Sequence, residues 1–123
     1  MKGNKILIIE DDADLRRALN VRLRASDYET AFASDAIMAL SIARNEAPDL
    51  ILLDLGLPGG DGFLVLERLK NIASLAFTPV IVVSARDPKT NENRALAAGA
   101  QAFFQKPVDN DLLMTAIRRA LLN

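Results

Sequence analysis

The chain has 123 residues, of which half are apolar and a quarter are charged, and its formal net charge is −1. Length and composition predict a single soluble globular domain spanning residues 1–123, and the near-neutral charge argues against direct nucleic-acid binding, which needs a concentrated positive surface. The chain has no cysteine, which excludes disulfides, and no histidine, which excludes a Ser-His-Asp triad, a histidine-ligated metal and a phosphohistidine of its own.

The amino-terminal part of the chain predicts a buried strand followed by an amphipathic helix. Residues 6–9 (ILII) form an apolar run that is too short for a signal peptide or a membrane span, so we expect a cytoplasmic protein without membrane association. From Asp12, the expected helix cap, to about Ser26, apolar residues recur at helical spacing. These apolar positions are Leu15, Ala18, Leu19 and Leu23.

A shorter strand and a second helix come next. Residues 28–33 are half polar, which is typical of a strand at the edge of a sheet. Either Ser34 or Asp35 can cap a helix that runs to about Arg44, and Pro48 closes the connection to the following strand.

Residues 50–53 (LILL) form the central apolar run, and its continuity predicts a strand that is buried on both faces. Asp54 ends this run, and the glycines and proline within residues 56–62 cannot continue a strand. The carboxyl end of a central strand is where open α/β sheets carry their chemistry. On position alone, Asp54 can equally be an acid that only solvates the strand end.

The second half of the chain continues the alternation of helices and strands. A third helix is expected to begin near Asp61, and Thr78-Pro79 breaks this segment. Its inward-facing positions are Phe63, Leu66 and Leu69. Residues 80–83 (VIVV) predict a β-branched fourth strand that ends at Ser84.

The last third of the chain adds one more strand between two helices. Asp87 and Pro88 have the form of a helix start, and Gly99 is a typical stop signal for that helix. Residues 102–104 predict a short fifth strand, and Asp109 can cap a final helix. The apolar positions of this helix are Leu112, Leu113, Ala116, Ile117, Ala120 and Leu121.

Five strands that alternate with five helices predict an α/β fold, (βα)5, with a doubly wound parallel sheet and helices on both faces. The carboxyl ends of parallel strands meet at one edge, so the polar residues that follow them share one rim. These residues are Glu10, Asp11, Asp54, Ser84 and Lys106. Taken singly, the acids can be a solvated loop and the serine a turn hydroxyl; the convergence of all five is the stronger indication.

Three carboxylates on one rim repel one another, at about 4 kcal/mol for a pair about 4 Å apart at an effective dielectric constant of about 20. Lys106 supplies one positive charge against the three acids. A hard divalent cation with oxygen ligands balances the rest, and such ligands are typical of a Mg²⁺ site.

Four motifs in this order resemble the receiver domain of response regulators, and the resemblance covers essentially the full length. They are IIEDD at 8–12, LLD at 52–54 with LPGGDG at 57–62, VVSA at 82–85, and the segment from Gly99-Ala100 through Phe103 to Lys106-Pro107. The resemblance implies a flavodoxin-like five-stranded sheet with strand order 2-1-3-4-5.

The resemblance also implies roles for the rim residues. Asp54 would be the phosphoacceptor and would contribute to the Mg²⁺ site, Asp11 would bind Mg²⁺ directly, and Glu10 would bind it mainly through water. The backbone carbonyl of Gly56 would be a further metal ligand.

The same resemblance assigns a phosphoryl contact and a switch. Lys106 would pair with phosphoryl oxygens, and the Ser84 hydroxyl would donate to the phosphoryl group. Phe103 would be the aromatic residue whose rotamer follows the state of Ser84. The Lys106-Pro107 peptide bond is expected to be cis.

The phosphoryl donor implied by the resemblance is a histidine kinase or a histidine phosphotransfer protein, with small acyl phosphates as substitutes. The domain would then be a signalling switch that promotes its own phosphorylation and dephosphorylation, not an enzyme acting on other substrates. Phosphorylation would shift the surface of the fourth helix, fifth strand and fifth helix between two populations, and this switch would signal to an output protein. Residues 99–103 lack the acidic pair of regulators that dimerise through this surface, so we expect a monomer or weak dimer.

Three residues depart from the commonest receiver pattern. Phe103 stands where many relatives have tyrosine, so it offers no hydroxyl. Gly56 has no side chain near the acceptor, and Arg86 is a cation two residues past Ser84. The lifetime of an aspartyl phosphate is therefore left open by the resemblance.

Three alternative classes fit the residues less well. A phosphatase of the haloacid dehalogenase type needs a second aspartate two residues after the first, and Gly56 stands there. A flavin-binding module needs a Ser/Thr/Gly-rich phosphate loop after the first strand, where this chain has the acids of residues 10–12. A receiver-like interaction module that works without phosphorylation would not need the complete set of acids, serine and lysine.

Overall fold

The computed structural model describes residues 3–122, in which strands and helices alternate. The strands are β1 (Lys5–Ile9), β2 (Glu29–Ala33), β3 (Leu50–Leu53), β4 (Val80–Ser84) and β5 (Ala102–Gln105). The helices are α1 (Ala13–Ala25), α2 (Ala36–Glu46), α3 (Gly62–Asn71), α4 (Pro88–Ala97) and α5 (Asn110–Leu122), and a short 3-10 helix covers Ala73–Leu75.

All five strands are parallel and lie in the order β2-β1-β3-β4-β5, which confirms the doubly wound fold and the order implied by the resemblance. The register aligns Ile9 with Leu53, Leu53 with Val82, and Ser84 with Gln105. The residues that follow these strands therefore emerge together at one edge of the sheet.

The sheet separates two hydrophobic cores, because side chains of a strand point alternately to its two faces. The face covered by α2, α3 and α4 includes Leu7, Ile9, Ile51, Leu53, Phe63 and Leu66. The face covered by α1 and α5 includes Ile6, Ile8, Leu50, Leu52, Leu19 and Ile117. Strands buried on both faces need continuous apolar runs, which explains why β1, β3 and β4 read as such runs in the sequence.

The predicted helix starts are confirmed, and an aspartate caps each of the five helices. Asp12, Asp61 and Asp87 each accept a hydrogen bond from an amide in the first turn of the following helix. Of the two alternatives for α2, the cap is Asp35, whose side chain accepts from the amide of Met38. Asp109 accepts similarly from the amide of Leu112 at the start of α5.

Two details differ from the sequence prediction. The third helix ends at Asn71, well before Thr78-Pro79, because the chain turns at Ile72 and buries Leu75 in the core. Leu112 is 61% exposed, since the inward face of α5 has room only for residues near Leu113 and Ile117. Within residues 3–122, none of the helices combines the length and the apolar character that crossing a membrane requires.

Candidate functional site

Three carboxylates gather at the carboxyl edge of the sheet. Glu10 and Asp11 follow β1 and Asp54 follows β3, and one oxygen of each lies within 4.8 Å of the others. Glu10 and Asp54 are buried, whereas Asp11 is exposed. The sequence prediction that these acids share one rim is confirmed.

The central strands position the two buried acids by continuing the sheet hydrogen bonding past the strand ends. The amide of Asp54 donates to the carbonyl of Ile9, and the amide of Glu10 donates to the carbonyl of Ala33, both at 3.0 Å. The backbone of each acid is therefore held by the neighbouring strand, which limits how far the carboxylates can move apart.

Lys106 brings the positive charge into this cluster from the loop after β5. Its Nζ lies 2.7 Å from Glu10 Oε1 and 3.2 Å from Asp54 Oδ2. Its amide donates to the carbonyl of Ser84 at 2.8 Å, and the Lys106-Pro107 bond is cis, as expected. One ammonium therefore bridges the two buried acids.

Burial and charge act in opposite directions on Glu10. Burial of the carboxyl raises its pKa to about 7, although the hydrogen bonds from Lys106 and from the amide of Asp12 lower it. Burial by itself lowers the pKa of Lys106, but the hydrogen bond and charge of Glu10 and the charge of Asp54 outweigh this and leave the pKa raised. Lys106 therefore stays protonated at neutral pH, whereas a pKa of about 7 means that Glu10 gains or loses its proton in this pH range.

Asp54 is held at both of its carboxylate oxygens. Oδ2 accepts from Lys106, and Oδ1 accepts from the amide of Gly56 at 3.0 Å. A Cβ built on Gly56 would have only the Asp54 carboxylate oxygens within 4 Å. The carboxylate thus has a fixed orientation, and the space above it on the Gly56 side is open.

Ser84 and Phe103, the predicted switch pair, lie on adjacent strands β4 and β5. Ser84 is buried at the end of β4, and its Oγ accepts from the amide of Arg86 at 3.1 Å. Phe103 pairs with Val82 in the sheet and is half-buried against the core under α2, α3 and α4. The structure places both residues near this edge, and their switching roles stay predictions.

Arg16 is a site residue that the sequence analysis missed. Its Nη1 donates to the backbone carbonyl of Glu10 at 2.9 Å and so holds the loop that carries Glu10 and Asp11. The prediction of α1 from the sequence rests on its cap and its apolar positions and assigns no role to Arg16. A signal was present nonetheless, because Arg16 lies four residues after the cap Asp12 and so falls on the same face of the helix, one turn further on.

The donor set at this edge fits a magnesium ion. All three side chains offer carboxylate oxygens, which are hard ligands, and two of them are buried beside a single ammonium. The predicted ligand at the Gly56 carbonyl is on the adjoining turn, and its role stays a prediction.

Comparison with known proteins gives a consistent picture. The family model of the response regulator receiver domain matches residues 6–118. Response regulator PleD of Caulobacter vibrioides is 36% identical over 114 residues, which cover 93% of this chain and 25% of that protein. Sporulation initiation phosphotransferase F of Bacillus subtilis is 34% identical over 121 residues, which cover 98% of this chain and 96% of that protein.

Solved structures show the same architecture. The receiver domain of sensor histidine kinase PA1611 from Pseudomonas aeruginosa, which has a magnesium ion coordinated in its active site cleft, superposes with a TM-score of 0.89 at 25% identity. The match covers 98% of this chain and 99% of that chain. The chain spans a quarter of the length of PleD and about half that of the transcriptional regulators it matches. With the family model matched over nearly the whole chain and relatives above 30% identity, this protein belongs to the response regulator receiver domains of two-component signalling.

Proposed function

We propose that this chain is a cytoplasmic phosphoacceptor switch, in which Asp54 takes a phosphoryl group from a phosphohistidine donor with the help of Mg²⁺. The observation that carries the proposal is the environment of Asp54. One oxygen of this buried carboxylate contacts the Lys106 ammonium, and the acids Glu10 and Asp11 lie within 4.8 Å. Receiver domains bind Mg²⁺ at such acidic sites and interact with histidine kinases or phosphotransfer proteins.

The transfer exchanges one bond to phosphorus for another. An oxygen of Asp54 forms a P–O bond in line with the departing group, the P–N bond of the phosphohistidine breaks, and its electron pair returns to the imidazole. Lys106 then neutralises part of the charge on the phosphoryl oxygens, and Ser84 can donate its hydroxyl to them. Attack by water on the same phosphorus forms a new P–O bond and breaks the bond to the Asp54 oxygen, which releases inorganic phosphate and a proton and restores the carboxylate.

The metal would be held by Glu10, Asp11 and Asp54 together with the backbone carbonyl of Gly56. When bound, it supplies positive charge to the phosphoryl oxygens and offsets the repulsion among the acids. The residues of this chain meanwhile orient the acceptor, through the amide of Gly56 and the ammonium of Lys106.

A groove beside the site suits a donor protein. It lies between α1 and the loop after β5 and has a volume of about 490 Å³. Its apolar lining includes Leu15, Leu19, Pro107 and Val108. Its polar lining consists of Asp12, Arg22, Lys106 and Asn110. A helix that presents a phosphohistidine could rest its apolar side in this groove with the phosphoryl group next to Lys106.

The charge of the phosphoryl group would change the surface formed by α4, β5 and α5. A phosphoryl group adds about −1.5 to −2 charges at neutral pH. Movement of Ser84 toward this charge would make room for Phe103, whose half-buried ring lies on β5. The ring position would couple the site to the output surface.

Mass spectrometry of the intact protein tests the proposal. With MgCl₂ and either acetyl phosphate or phosphoramidate, whose P–N bond resembles that of phosphohistidine, we expect a mass gain of one phosphoryl group. Asp54→Asn should not gain it. Asp49→Asn, which changes an acid at the opposite end of β3, should gain it like the unmodified chain. Equal phosphorylation of Asp54→Asn, or none of the unmodified chain, would contradict the proposal.

A further inference from the structure

The buried ring of Phe63 is contacted by two arginines from different parts of the chain. Phe63 lies in the first turn of α3 and is 1% exposed. The guanidinium carbon of Arg94, on α4, is 3.8 Å from the ring centroid, and that of Arg86, in the loop after β4, is 5.4 Å from it. Cations near an aromatic ring are attracted by its quadrupole, which makes the ring face partially negative, so both contacts stabilise this arrangement.

The two arginines are held with different strength. Arg94 is in close contact with the ring. Arg86 is near the limit of the attraction, which acts within about 6 Å, and its Nη2 lies 3.4 Å from the carbonyl of Leu55, longer than an ordinary N–H···O bond. Because its side chain is also exposed, Arg86 can leave Phe63 at low cost while Arg94 stays.

The backbone of Arg86 is fixed beside the phosphorylation site. Its amide donates to Ser84 Oγ, and its guanidinium lies over Leu55, the residue that follows Asp54. At Asp54 itself, the single ammonium of Lys106 is already shared with Glu10. A phosphoryl group on Asp54 brings more negative charge than the carboxylate had, so the site then attracts a second cation.

We propose that Arg86 is this second cation: it rests on Phe63 in the unmodified protein and turns to bind phosphoryl oxygens once Asp54 is phosphorylated. A guanidinium can donate two parallel hydrogen bonds to such oxygens, which makes the exchange favourable. Arg94 remains on the ring and keeps Phe63 covered. This inference rests on the proposed function, because it concerns the same phosphoryl group.

Binding of beryllofluoride, a mimic of the phosphoryl group, tests the inference on the full chain in the presence of Mg²⁺. Arg86→Ala should weaken beryllofluoride binding about three- to fivefold, the effect of losing one exposed charged contact, and Arg86→Lys should restore part of it. Arg94→Ala is the matched control, since it removes the closer cation from the same ring and should leave the affinity within about twofold. Mg²⁺ affinity, titrated without beryllofluoride, should not change in any of the variants, as a general distortion of the site would alter it.

An unchanged affinity in Arg86→Ala, or an equal loss in Arg94→Ala, would overturn the inference while leaving the proposed function intact. Failure of the unmodified chain to bind beryllofluoride and to gain a phosphoryl group would instead remove the proposed function itself.

Discussion

Glu10 is the residue at which burial and function conflict most directly. It is 3% exposed, yet the proposed metal site requires it as a carboxylate. Burial raises its pKa from the ordinary 4.5 to about 7. Between these pH values, the metal-free folded protein therefore keeps a proton on Glu10 that the unfolded chain has lost. Its contribution to the free energy of unfolding therefore falls as the pH rises from about 4.5 to about 7. The buried carboxylate of Glu10 thus serves the proposed metal site but lowers the stability of the fold when no metal is bound.

Mg²⁺ affinity is predicted to depend on pH through this carboxyl. Since the proton on Glu10 must leave before the carboxylate supports the metal, a pKa of about 7 predicts an affinity about tenfold lower at pH 6 than at pH 8. Calorimetric titration of Mg²⁺ at the two pH values measures this ratio. Glu10→Gln should bind Mg²⁺ more weakly at pH 8 and lose most of the pH dependence. Equal affinities of the unmodified chain at pH 6 and 8 would show that Glu10 does not titrate in this range.

At the scale of elements, the loop between β3 and α3 depends on one close backbone contact. A Cβ built on Gly62, the first residue of α3, would lie 2.3 Å from the carbonyl oxygen of Leu55 and 2.4 Å from its Cα. The start of α3 therefore packs directly on the residue after Asp54. This contact places Phe63 in the core and closes the loop that follows Asp54.

Gly62→Ala is predicted to destabilise the fold, because the added methyl group forces α3 away from the loop. Backbone atoms cannot rotate out of the way as a flexible side chain can, so we expect a loss of about 2–3 kcal/mol in the free energy of unfolding. Urea denaturation measures it. Gly56→Ala in the same loop is the control, since its methyl group would meet only the Asp54 carboxylate, at 3.6 Å or more, and should cost less than about 1 kcal/mol. Similar losses in both variants would mean that general loop flexibility, not the Leu55 contact, sets the cost.

At the scale of the whole molecule, the sequence predicts the elements more completely than their contacts. Apolar runs predict the strands, and aspartates predict the helix caps. The shared rim follows from where the strands end, so all three predictions rest on short local patterns in the sequence. The pairing of β1 with β3 joins residues more than 40 positions apart, so strand order came from the family resemblance and not from periodicity. The contacts of Phe63 with Arg86 and Arg94 join two helices and a loop, and no local sequence pattern predicts them, because such side-chain packing depends on the finished fold.

The sheet brings three carboxylates together, and their repulsion lowers the free energy of unfolding of the whole domain. Mg²⁺ is predicted to relieve this repulsion and to stabilise the fold. A ligand that binds only the folded state stabilises it by about 1.4 kcal/mol at ten times its dissociation constant, which for a chain of this length raises the unfolding midpoint by about 5 °C. Thermal unfolding followed by circular dichroism, at constant ionic strength, measures the shift.

Two variants of equal charge separate a specific site from general screening. Asp11→Asn removes the exposed member of the cluster, so it should unfold without metal at the same temperature as the unmodified chain or higher, and should lose most of the shift. Asp14→Asn removes an acid of α1 that pairs only weakly with Arg17, at 3.5 Å, and should keep the full shift. A shift that survives in Asp11→Asn would mean that Mg²⁺ stabilises the protein elsewhere, because the carboxylate expected to bind the metal directly would already be gone.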